Sequence, residues 1–208
     1  MWNRIFDLEN PVMQALGAIC DLLVLNLLTV LCCLPVVTAG AAFAALDGVL
    51  LGVVRGKEGP VVRGFFRLFR ANLRRGIPLG LFFLAAALVL SVDYWAASVY
   101  APPLRVPVIA AAIVAGAAAL YAFALLARYE NTVAGTLKNA CSLAVAFFPK
   151  TLAMLLFTAG VWLVCLHFAQ YALPVLMMFG FSLPAYVCML LCDGVFRRID
   201  GEGAGDNP

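Results

Sequence analysis

The chain has 208 residues, of which 65% are hydrophobic and 12% charged, and its mean hydropathy is +1.02. So little polar surface cannot enclose a soluble globule of this size, which assigns the chain to lipid. The formal net charge of +3 is concentrated near the expected inner face, and nucleic acid is not an expected partner.

Membrane helices need about 20 mainly apolar residues, and six stretches qualify: Val12 to Leu34, Val36 to Val54, Ile77 to Val99, Val106 to Ala127, Thr151 to Gln170, and Leu173 to Cys192. The N-terminal Met1 to Glu9 carries acids and leads into the first stretch without a small-residue cleavage site, so that stretch is expected to remain. Between the first two lies the uncharged turn Leu34-Pro35-Val36. The connection after the second holds Arg55, Lys57, Arg63, Arg67, Arg70, Arg74 and Arg75 against Glu58 alone. Cytoplasmic loops retain Lys and Arg, so this connection is the inside anchor. Cutting the chain at its apolar stretches puts every Lys and Arg on that side except Arg105, out of 14 in all. Both termini are then cytoplasmic, and Tyr94, Trp95 and Tyr100 fit an outer aromatic belt.

Two inside segments are amphipathic. Arg63, Arg67, Arg70 and Arg74 form one stripe beside an apolar face of Phe65, Phe66, Phe69 and Leu73, as in a helix lying in the inner interface. The stripe reads either as an anchor on anionic headgroups, at about 1 kcal/mol per basic residue, or as a docking surface for a partner. The second segment, Tyr129 to Phe148, has Val133, Leu137, Ala140, Cys141 and Ala144 at helical spacing. Its Gly135 and Pro149 are compatible with the helix by which ABC permeases engage their ATPase, and Pro149 suits the first turn of the fifth span.

Polar groups inside the spans need a reason, because a carboxylate at mid-helix costs on the order of 3 kcal/mol. Asp21 lies 14 residues before Pro35 and Asp47 lies 12 after it, so a hairpin would bring them to similar depth. They would then share a proton, bind a cation or join a packing ion pair, with Asn26 as an interhelical hydrogen-bonding group. In span two Gly40, Ala44, Gly48 and Gly52 make a small-residue stripe for close helix packing, which does not by itself establish an oligomer. Asp93 and Asp193 fall at span ends and His167 stands alone; none is assigned a function. Cys20, Cys32, Cys33, Cys141, Cys165, Cys188 and Cys192 are odd in number, lack disulfide or zinc spacing and read as small hydrophobes. No metal or cofactor site is expected, and no nucleophile motif or phosphate loop points to an enzyme.

The stretches Asn26 to Val30, Leu34-Pro35-Val36-Val37-Thr38-Ala39-Gly40-Ala41 and Ala44 to Leu46 resemble the signature of the YesL-like membrane proteins. Phe65 to Asn72, Ala127 to Glu130 and Leu137 to Ala140 agree with it. The resemblance implies a bacterial integral membrane protein, often encoded beside carbohydrate ABC uptake systems, and supplies no established activity or ligand residues. In that signature Pro35 should end the first helix, Thr38 cap the second and Gly40 let the two backbones meet.

The expected class is therefore all-α. It is a polytopic protein of about six transmembrane helices with two cytoplasmic amphipathic helices, forming one domain over 1–198 with a disordered cytoplasmic tail over 199–208. The leading functional expectation is a non-enzymatic accessory or interaction subunit of carbohydrate ABC uptake in the bacterial cytoplasmic membrane. The alternative is an autonomous small-solute or ion transporter using Asp21, Asp47 and Asn26.

Overall fold

A computed structural model describes residues 11–56, 59–100, 102–129, 131–167 and 180–203. Those residues form α1 (Pro11–Cys33), α2 (Ala39–Val54), α3 (Val61–Tyr100), α4 (Arg105–Arg128), α5 (Val133–Ala146), α6 (Phe148–His167) and α7 (Ser182–Gly203). Among them no strand occurs. Three helices are long and apolar enough to cross a membrane, within Val36–Val54, Val61–Tyr100 and Pro102–Arg128. α5 and α6 as far as Val164 make a fourth if the pair, bent by 100°, counts as one span.

α2 is the centre of the molecule, packing against α1, α3, α4 and α7. Its small side chains make this possible: Gly40, Ala41, Ala42, Ala44 and Ala45 are all buried. A methyl group on Gly76 would lie 2.7 Å from the Ala41 Cα, and one on Gly80 would lie 2.7 Å from the Gly40 Cα. The two backbones therefore touch, as small residues at four-residue spacing permit.

This junction alters the expected basic segment. The arginine stripe is not a separate interfacial helix; it is the first part of the 40-residue α3, which runs unbroken through Pro78. Proline removes one intrahelical hydrogen bond and favours a break. Here α2 holds the helix on both sides of it, at Gly76 and Gly80, while Pro78 itself is exposed.

The same junction sets depth. The turn before α2 packs beside the middle of α3, and Gly80 is 20 residues short of Tyr100, or about 30 Å along the helix. The Leu34 turn and the Tyr100–Arg105 connection, both expected at one outer face, thus lie at different levels along α3. Leu34, Val36 and Val37 are exposed apolar side chains at that turn.

Thr38 also departs from its expected role. Its hydroxyl makes no N-terminal cap of α2; it donates to the carbonyls of Cys32 at 2.6 Å and Pro35 at 2.9 Å. With helical backbone angles, φ −91° and ψ −2°, Thr38 lacks the extended geometry that a capping side chain uses. At Cys32 it serves a carbonyl of the last turn of α1 instead.

The later segments follow the expected order with shifted limits. α5 is capped by Thr132, whose side chain accepts from the Gly135 N–H at 3.2 Å, and α6 opens at Phe148 with Pro149 in its first turn. The Thr151 hydroxyl, 3.2 Å from the Tyr121 hydroxyl, donates to the Ala144 and Phe147 carbonyls and stitches α4, α5 and α6 together. Of the expected sixth span, 173–179 lie outside the described residues. α7 continues past Arg198 to Gly203, and 204–208 of the expected tail also lie outside them.

Candidate functional site: a buried carboxylate and an arginine groove

Asp47 sits on the buried face of α2, 9% exposed. It lines a cavity of about 320 Å³ between α2, α4, α6 and α7, together with Phe43, Phe123, Thr158, Trp162, Phe181 and Cys188 among others. Among the described residues the Asp47 carboxylate has no hydrogen-bond or ion-pair partner. Four aromatic rings line part of the wall. Phe43 lies 5.7 Å from Phe123 and 5.5 Å from Phe181, and Trp162 lies 5.7 Å from Phe181, centroid to centroid. On the same wall Thr158 Oγ1 and Cys188 Sγ are in hydrogen-bond contact at 3.6 Å.

The other intramembrane candidates lie elsewhere. Asp21 is half-buried on α1, and no described residue of α1 lines the Asp47 cavity. Asn26 is fully buried, and its Oδ1 accepts from the backbone N–H groups of Phe181 at 2.9 Å and Ser182 at 3.2 Å. It thus caps α7 from another helix, satisfying donors that the first turn of any helix leaves open. Nothing in the local sequence of α7 shows this, because the acceptor lies 155 residues away.

At the opposite end of α2 is a groove of about 720 Å³ lined by Arg55, Arg63, Arg67 and Arg128, with Gly48 and Gly52 on its wall. Among the described residues no carboxylate lines it. Two members of the expected stripe, Arg63 and Arg67, enter the groove; Arg70 and Arg74 are exposed farther along α3. Arg55 and Arg128 were not part of the expected surface. The available signal was that each closes an apolar span at the same face.

Each of these two arginines is held from behind. Arg55 Nε donates to Asp193 Oδ1 at 2.6 Å, and Arg197 Nε donates to Asp193 Oδ2 at 2.7 Å. Burial pushes the Asp193 carboxyl up, but these two guanidinium donors outweigh it and hold the group below the usual carboxylate range. The Arg128 guanidinium lies 5.2 Å from the Tyr129 ring and 5.0 Å from the Phe196 ring, a cation–π arrangement. Asp193, expected to be inexpensive at a span end, therefore ties α2 to α7 beneath the groove.

The small-residue stripe divides by position. Gly40 meets the α3 backbone and Ala44 is buried. A methyl group on Gly48 would come within 2.8 Å of Leu68, whereas at Gly52 nothing lies within 4 Å. Pro35 follows the end of α1 in an exposed turn. Among the described residues six cysteines are free thiols and no group of three His, Cys, Asp or Glu side chains could hold a metal ion.

A family model described as "Protein of unknown function, DUF624" matches residues 22–94. That range covers Asn26, Pro35, the Gly40–Gly76–Gly80 junction, Asp47 and the arginine stripe, and stops before α4. No curated protein and no solved structure matches the chain.

Proposed function

We propose that this chain is a YesL-like, non-enzymatic protein of the bacterial cytoplasmic membrane that acts as an interaction subunit of carbohydrate ABC uptake, docking through its arginine face. The observation that carries this reading is the groove where Arg55, Arg63, Arg67 and Arg128 converge from three elements without a carboxylate among the described lining residues. Such a surface suits an acidic partner segment or anionic headgroups. In this topology six apolar segments leave both termini cytoplasmic, with the arginine end of α2 inside. The DUF624 match over 22–94 supports the membrane class and adds no activity.

Affinity purification in mild detergent at native expression tests the reading. Transporter components should co-purify with the wild type, and the double variant Arg63→Glu, Arg67→Glu should lose them. Recovery of no transporter component by the wild type would overturn it.

A second reading, an autonomous transporter of a small solute or ion, is favoured by the unpaired Asp47 in its cavity. Flux in proteoliposomes should then fall at least about tenfold in Asp47→Asn, in line with loss of a buried charge contact. Equal flux in that variant, with unchanged elution, removes Asp47 from any transport step.

A further inference from the structure

A buried carboxylate with no partner among the described residues is costly in an apolar interior, unless a proton or a cation accompanies it. The chemistry of the wall decides which cation fits. Metal ions such as Mg²⁺ and Ca²⁺ need six or more oxygen ligands in close array. The side chains described around this cavity offer Asp47 and one hydroxyl, Thr158, while the rest of the wall is mainly aromatic and aliphatic. Phe43, Phe123, Phe181 and Trp162 line the same cavity as the carboxylate and pack against one another. Aromatic rings attract diffuse organic cations, most strongly where water is excluded. The volume of about 320 Å³ is at the lower end of small-molecule sites.

We propose that the Asp47 cavity is a binding site for a small organic ammonium cation, its charge against the Asp47 carboxylate and its apolar substituents against Phe43, Phe123, Trp162 and Phe181. The site shares its carboxylate with the transport reading but does not require flux. It is also independent of any partner on the arginine face.

Trp162 supplies the readout. The chain has three tryptophans, so Trp2→Phe with Trp95→Phe leaves Trp162 as the sole emitter in the full-length, detergent-purified protein. Benzyltrimethylammonium is the probe and its uncharged isostere, neopentylbenzene, the control. The cation should give a saturable change in Trp162 emission that the isostere does not reproduce. In Asp47→Asn its affinity should drop at least about 30-fold, as when one partner of a desolvated charge pair is truncated. Asp21→Asn should leave it unchanged, because no described α1 residue lines the cavity. Phe43→Leu should weaken the cation about threefold or more, and if Asp47→Asn does not fold, this variant and the isostere comparison decide. The proposal is overturned if the isostere binds as tightly as the cation, if Asp47→Asn binds normally, or if no saturable response appears. Failure here leaves the pull-down result standing, and binding without flux retains the site while discarding transport.

Discussion

At Gly40 an added methyl group would run into the backbone of Gly76 and Gly80, whereas at Gly52 it would meet nothing within 4 Å. The two positions share a stripe and a helix, so they make an internal control. Gly40→Ala should destabilise the protein by about 1–3 kcal/mol, because neither backbone can retreat without moving a packed helix. Gly52→Ala should be neutral or stabilising by up to about 1 kcal/mol through helix propensity. Thermal unfolding in detergent checks both; equal effects would mean that the α2–α3 contact is looser than its geometry. The stripe was legible from four-residue spacing alone. Its division into one essential glycine and one open position was not, since that depends on Gly76 and Gly80 arriving from α3. Asn26 shows the same limit: its cost in lipid marked it in the sequence, while its use as a cap on α7 depends on a chain reversal far downstream.

Between elements, Asp193 of α7 holds Arg55 at the end of α2, while Arg197 of its own helix takes its other oxygen. Because the folded Asp193 carboxyl sits below its ordinary value of 3.8, its contribution is fully present above that value. It is lost as pH falls through the folded one. Asp193→Asn should therefore lower the melting temperature at neutral pH, and the gap from the wild type should close as pH drops below about 3.8. A gap that persists unchanged in acid would assign the effect to packing and not to charge. α3 gives the corresponding lesson for helix limits. A basic amphipathic run, a proline and an apolar run read locally as two helices, but α2 pressing on Gly76 and Gly80 spans the proline and keeps one.

For the whole molecule, the level of the Leu34–Val37 turn is the open consequence of that junction. Its Leu34, Val36 and Val37 side chains are apolar and exposed, and the Thr38 hydroxyl occupies the Cys32 carbonyl at the end of α1. The turn thus ends about 30 Å along α3 from the Tyr100 end, short of the face at which that end lies. A cysteine at Val36, in a background without native thiols, should resist a membrane-impermeant maleimide from outside, while one at Pro103 should react. Equal labelling would restore a full crossing for α1 and α2. Either way the chain returns to the same side after α2, so the inferred placement of the termini is unaffected.

Composition and apolar length by themselves determined an all-helical chain with membrane-length apolar segments, because the cost of burying charge and exposing backbone in lipid acts on every segment independently of its neighbours. The cation asymmetry likewise identified a charged end without knowledge of packing. Tertiary structure alone decided which intramembrane polar groups stand together. It gave Asn26 to α7, put Asp47 in a cavity lined from α2, α4, α6 and α7, and drew Arg55 and Arg128 into one groove with Arg63 and Arg67. The physical reason is that depth and helix face follow from where two backbones can touch. In this chain the described contact that fixes both is the glycine junction between α2 and α3.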